Sequence, residues 1–338
     1  MKTKEQLALR TYNQVHIPRS FDKSKRRVSV YISWSYPGES NRDPAEIDNR
    51  FSTMTEVRKV LWPNYETHNL QNFLQGISGS LELFFVAWVY FQDFMGEATG
   101  YPVPVYQRID QAGYKLPLDE RILEDTDTLF VFGLDHMITD QEASQAEIEA
   151  VKKFLEREGT SLVIGPHHDV GLSDDLKERQ MEYLHHGDAL VPRQQRFGKY
   201  TRSLLKGLGI PVENRYGLRP EVVKDTNKVA PFSAVRDLDT KNWLKGVENF
   251  NFHMHLPHYA VTEKSKLVNV LAMQPIDLSK PHPFTEAGNR EFNSFIWVMP
   301  DGKRAGDVLI ADSTIFSTLF GADVSLENFW RNIATAKL

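Results

Sequence analysis

The chain of 338 residues contains no cysteine. That absence excludes disulfides, thiolate metal sites, iron–sulfur clusters and every mechanism with a cysteine nucleophile, so a bound metal would have to be held by His, Asp or Glu. Long apolar runs are missing as well. The most apolar window, Leu81 to Phe91, carries Glu82 and falls far short of the roughly 18 residues a membrane span requires, so no membrane partner is expected. It reads as a buried helix rich in aromatics, with Phe84, Phe85, Trp88 and Phe91. Met1 to Gln6 lack the apolar region of a secretory signal, which predicts a cytoplasmic protein. Positive charge is not in excess: 40 Lys and Arg against 45 Asp and Glu give a net charge of -5. The basic patch Lys23, Lys25, Arg26 and Arg27 is short and isolated, so no nucleic-acid partner is expected.

What is present is an ordinary globular composition, 41% hydrophobic and 25% charged, on a chain long enough to bury a substantial core. No internal repeat, low-complexity tract or linker divides it, so residues 1–338 read as a single α/β domain. Arg27 to Ser33 reads as a first strand, followed by a loop from Tyr36 to Asn49 and helical stretches around Phe51 to Leu61 and Leu70 to Met95. Thr128 to Gly133 is a continuous apolar run, the mark of a strand buried on both faces of a parallel sheet. A helix is predicted next, with Thr139 as N-cap and Glu142 closing a capping box, Ile148, Val151 and Leu155 on one face, and Gly159 as the stop. Ser161 to Gly165 is the following strand, completing a βαβ unit.

Asp174 to Leu184 and Tyr200 to Leu208 read as helices, and Leu326 to Ala334 as a terminal one. Leu267 to Met273, Ser294 to Met299 and Asp307 to Ala311 read as strands. Asn249 to His255 alternates, with Phe250, Phe252 and Met254 on one face and Asn251, His253 and His255 on the other, as in a half-buried strand. The pattern predicts a flavodoxin-like, doubly wound, mostly parallel sheet with an inserted or extended segment near its C-terminal half, over residues 170–260. The mixed segment Asn49 to Pro63 reads as packing, of a kind that a subunit contact in a homo-oligomer would also use.

Histidine is the most informative residue type here. Gly165-Pro166-His167-His168-Asp169 closes one predicted strand, Phe252 to His258 holds three more, and His185-His186 precede Gly187. Imidazole is the commonest metal ligand and the usual acid or base at neutral pH.

The stretch from Asp127 to His168 resembles the core of the class I glutamine amidotransferase-like superfamily, in which a strand ending in glycine, a capped helix and a second strand lead to Gly-x-Cys at a sharp elbow. His167 takes the place of that cysteine. The resemblance therefore does not imply glutamine amidotransfer, because imidazole cannot form the required thioester. The chain is more similar to the trehalose-utilisation (ThuA-like) branch, which carries Gly-x-His at this elbow. Gly306 to Ser313 also resembles the last strand of related proteins.

Ligands of an open parallel sheet bind at the carboxyl ends of its strands. Trp34 and Ser35, Asp135 and His136, His167 to Asp169, and Asp312 and Ser313 are all expected there, although any α/β fold puts polar loop residues at that edge. His253 and His255 on one strand face have the geometry of two nitrogen ligands to one ion, unless they are simply solvated. His258 could turn back as a third ligand, and His167 or Asp169 could complete a Zn or Fe(II) site with one position open to water or substrate. Asp135 or His136 would then move protons. Without a metal, His167 beside Asp169 would serve as a general base, at an elbow next to a helix N-terminus that favours an anionic intermediate. Arg193, Arg196, Lys199 and Arg202 would form a basic stripe if helical, either a carboxylate clamp or a solvated face. The function expected is a histidine-based hydrolase, or related enzyme, acting on a small polar metabolite; the rival is a non-catalytic ligand-binding or assembly protein on the same fold.

Overall fold

The computed structural model describes residues 19–33, 88–109, 114–135, 137–139, 141–187, 194–226, 228–250, 255–318, 321 and 323–338. The predicted helix Phe51 to Leu61, most of Leu70 to Met95, Trp34, Ser35, His136, Arg193 and His253 lie outside the described residues. In chain order the first elements are β1 (Val28–Ile32), α1 (Val89–Thr99), β2 (Val105–Gln107), α2 (Glu120–Leu123), β3 (Thr128–Gly133), α3 (Gln145–Leu155), β4 (Ser161–Pro166) and β5 (Asp169–Val170). They continue with α4 (Leu176–His186), β6 (Gln195–Arg196), α5 (Lys199–Gly207), β7 (Val212–Leu218), β8 (Ser233–Ala234), β9 (Leu256–Val261) and β10 (Val268–Pro275). The last are α6 (Pro283–Glu286), β11 (Glu291–Val298), β12 (Asp307–Ala311) and α7 (Asp323–Ala334).

Eight strands form the central sheet in the order β2-β1-β3-β4-β12-β11-β10-β8. The first five run parallel, in the 2-1-3-4-5 order of a flavodoxin-like sheet, and β11, β10 and β8 extend it antiparallel. The continuous apolar runs explain why the middle strands lie where both faces are covered. Every residue of β1, β3, β4 and β12 is buried. Alternate side chains go to two cores. Val30, Phe130, Phe132 and Leu309 pack with Phe91 of α1 and Trp330 of α7, whereas Leu129, Val131, Ile164 and Ile310 pack with Val151 of α3 and Leu204 of α5.

The start of α3 differs from expectation. Met137–Thr139 form only a 3-10 turn, and the capping box is Ser144 with Glu147. Both pairs fit the sequence pattern; Glu147 wins because its carboxylate also receives the Arg108 guanidinium, the Leu118 amide at 3.0 Å and the Tyr200 hydroxyl at 3.2 Å. Asn249 and Phe250 belong to no strand, and β9 begins only at Leu256. The segment is held otherwise: the Asn249 amide donates to Ser325 Oγ at 3.1 Å and the Phe250 ring enters the core beside α7.

Between β4 and β12 the chain makes α5, which packs against β3 and β4, and a separate two-stranded antiparallel sheet of β7 and β9 lying against β11. Residues 170–260, expected as the inserted segment, hold the end of β5, β6 to β8 and most of β9; β10 and β11 also fall between β4 and β12 and widen the main sheet. Among the described residues, no helix is long and apolar enough to cross a membrane.

Candidate functional site

His167 follows directly on β4, and its backbone amide donates to Gly133 O at 3.0 Å, carrying the β3–β4 ladder one residue past the strand. The register of β4 on β12 sets Ile164 against Ile310, so Asp312, just past β12, comes level with this turn. The His167 ring meets it there: Nδ1 lies 2.9 Å from Asp312 Oδ1. Thr314 Oγ1 donates to the other carboxylate oxygen. Ser313 ties the strand ends together, donating to Gly165 O at 2.5 Å and accepting from the Gly133 amide at 3.1 Å. A side chain at 165 would not fit, since its Cβ would lie 2.6 Å from Ser313 Oγ. The β7–β9 sheet roofs the turn, with Tyr259 OH donating to Pro166 O at 3.0 Å and the Asn214 side-chain amide donating to His167 O.

Three further imidazoles close on His167. His168 is the next residue, His186 comes from the last turn of α4, and His255 precedes β9. One ring nitrogen from each of His167, His168 and His255 lies within 4.8 Å of the others. His186 stacks on His255 with centroids 3.6 Å apart, and its Nε2 lies 2.9 Å from His168 Nε2. Phe197 packs edgewise on His167 at 5.6 Å. All four imidazoles are buried, from 7% exposed at His167 to 1% at His168.

Of the residues expected from the sequence, His167 and His255 come together in this cluster. His258 does not join it. Its ring packs on Phe284 at 4.9 Å, its Nδ1 accepts the Asn293 amide at 3.2 Å, and burial pulls its pKa down to about 4. Asp135 is a structural group. Fully buried, it accepts from Ser33 Oγ at 2.5 Å and from the Tyr200 amide in the first turn of α5 at 3.0 Å, and burial lifts its carboxyl to about 6. Asp169 has other partners. It faces Arg196 across the β5–β6 ribbon, binds the Arg202 guanidinium and accepts from the Phe197 backbone amide.

The basic stripe does not exist as one helix face. Arg196 sits on β6, Arg202 on α5 is taken up by Asp169 and the Phe197 carbonyl, and Lys199 pairs with Glu142 at 3.3 Å. Nor does His167 stand at a helix N-terminus: β5 intervenes, and α4 starts at Leu176 with Asp175 as its cap.

Asp312, Thr314 and His186 carry no sequence signal that assigns them a role in this site. Asp312 was visible as a residue at the sheet edge, and His186 as half of a histidine pair, but only the fold joins them to His167 and His168. The companion of that pair, His185, is an internal clamp: Nδ1 lies 2.8 Å from Lys280 O, and Nε2 accepts the Arg219 amide at 2.9 Å.

Chemically, an Nδ1–H of His167 donating to Asp312 leaves Nε2 with the lone pair, the arrangement by which a carboxylate orients a metal-binding histidine. A set of imidazole nitrogens with no thiolate suits Zn, Fe, Cu or Ni rather than Mg or Ca. The same His167–Asp312 pair could work as a base without a metal.

No family model matches the chain, and no curated protein matches it. Among solved structures it is similar to one titled "mmIFT52 N-terminal domain", with 9% identity over 68% of this chain and 84% of that one and a TM-score of 0.39. A likeness at that level bears on neither fold nor function.

Proposed function

We propose that the chain is a hydrolase, or related enzyme, that acts on a small polar metabolite in the cytoplasm through a zinc or Fe(II) ion held by His167, His168 and His255. The observation that carries this reading is the convergence of one nitrogen from each ring to within 4.8 Å of the others, at the carboxyl edge of a parallel sheet. An ion held by these three rings would supply Lewis acidity to a bound substrate or water. Asp312 holds His167 in its Nδ1–H tautomer, and Thr314 fixes Asp312. Phe197 and the β7–β9 roof keep bulk water off the rings.

Metal analysis of the purified full chain, alongside His167→Ala and His255→Ala, tests the reading. It expects one ion per chain in the parent and loss in both variants, with hydrolysis of small ester or amide substrates that stops in chelator and returns with metal. The depth of the cluster favours a second reading, in which the ion or ligand is bound without turnover. Cobalt-loaded protein whose absorption spectrum ignores added azide would support that one.

A further inference from the structure

From the packing around His186 we infer that it is a positioning residue of this site, holding His168 in one tautomer and backing the ring of His255. Two contacts place it there: the Nε2 to Nε2 distance of 2.9 Å to His168, and the stack on His255 at 3.6 Å with planes 24° apart. An N–H···N bond between imidazoles requires one ring to donate and the other to accept, so the tautomer of His168 is coupled to that of His186.

A third observation, independent of these contacts, shows that the backbone is shaped around the pair. β7 carries a bulge between Arg215 and Gly217, and Tyr216 within it adopts φ 50°, a left-handed conformation that bulky residues rarely take. The bulge brings Gly217 onto both rings: a Cβ there would lie 2.6 Å from His168 Cδ2 and 2.7 Å from His186 Cδ2. Strain of this kind persists where the surroundings fix it, and it is concentrated at functional sites. Residues that orient a ligand through its second nitrogen typically change metal affinity by about 10- to 100-fold when removed.

The inference rests on the metal reading for its purpose but not for its geometry, so the two are tested apart. Cobalt(II) titration of the parent chain decides the metal reading. For His186, the measurement is the ring nitrogen-15 spectrum of His168 in the metal-free full chain and in His186→Ala, His186→Gln and Gly217→Ala. A single His168 tautomer in the parent and in His186→Gln, giving way to a mixture in His186→Ala and Gly217→Ala, is the result expected. An unchanged His168 spectrum in a folded His186→Ala or Gly217→Ala variant overturns the inference, whether or not cobalt binds. If His186→Ala does not fold, a His168 spectrum in His186→Gln that already shows the mixture overturns it equally. Where the parent binds cobalt, His186→Ala should bind about 10- to 100-fold more weakly and His186→Gln within a few-fold of the parent. Equal binding by all three contradicts the positioning role.

Discussion

At the scale of single residues, two buried carboxylates do opposite work, Asp312 in the site and Asp135 in the scaffold. Asp312 is useful ionised, because a carboxylate 2.9 Å from His167 Nδ1 selects the tautomer that donates Nδ1–H to it. Asp312→Asn keeps the volume but offers a weaker acceptor, and zinc affinity measured by competition with a chromophoric chelator should fall by about 10- to 100-fold; an unchanged affinity would remove Asp312 from the site. Asp135 is a liability when ionised. Its carboxyl is raised from 3.8 to about 6 by burial, with the Ser33 hydroxyl and the Tyr200 amide opposing. The folded chain therefore holds this proton more tightly than the unfolded one. Its contribution to stability is present at pH below about 4 and is lost as pH rises to about 6. The cost remaining at neutral pH is on the order of 3 kcal/mol. Asp135→Asn can still accept the Tyr200 amide and donate to Ser33 Oγ, which in turn donates to Phe132 O. We expect it to melt at a higher temperature than the parent at pH 7.5, with the difference closing near pH 4. A variant that melts lower at pH 7.5 would show that the ionised form is the one the fold needs.

At the scale of elements, three histidine-bearing segments, the turn after β4, the end of α4 and the start of β9, meet beside the β7–β9 roof. The point of contact is Gly217. Gly217→Ala should lose about 1 to 3 kcal/mol in denaturant unfolding, as crowding in packed interiors does, whereas Gly302→Ala, with nothing within 4 Å of the added carbon, should lose far less. Much of the scaffold was legible in the sequence because a strand buried on both faces is written as an unbroken apolar run. Thr128 to Gly133 and Asp307 to Ala311 were read to the residue. The site was legible only in part. His167 was found because the carboxyl end of β4 is a local property, but its partner Asp312 depends on β12 lying beside β4, across a long stretch of intervening chain. His186 was harder still. Its approach to His168 passes a bulge at Tyr216 and Gly217 that has no periodicity to betray it, and Asp169 looked catalytic because it lies two residues from His167, whereas the Arg196 and Arg202 guanidinium groups that take up its carboxylate come from distant segments.

At the scale of the whole molecule, three histidines outside the cluster, among the described residues, set an acid limit on the fold. Burial draws His185 and His258 to about 4 and His282 to about 3, below their ordinary 6.5. The unfolded chain takes up these protons first, so their contribution to stability is complete above pH 6.5 and is lost as pH falls toward 4. Each proton is worth about 1.4 kcal/mol per pH unit within that window. Three such groups outweigh the contrary effect of Asp135. Chelator-treated protein should therefore unfold at markedly lower urea at pH 5 than at pH 7, and equal midpoints would refute the idea that the folded state keeps these rings neutral. Elemental analysis of the full chain reads the histidine cluster itself. Purified protein, dialysed against zinc or iron(II) and then against metal-free buffer, should keep one ion per chain, and His167→Ala and His255→Ala should keep none. A parent chain that retains no ion after loading with either metal would contradict the account.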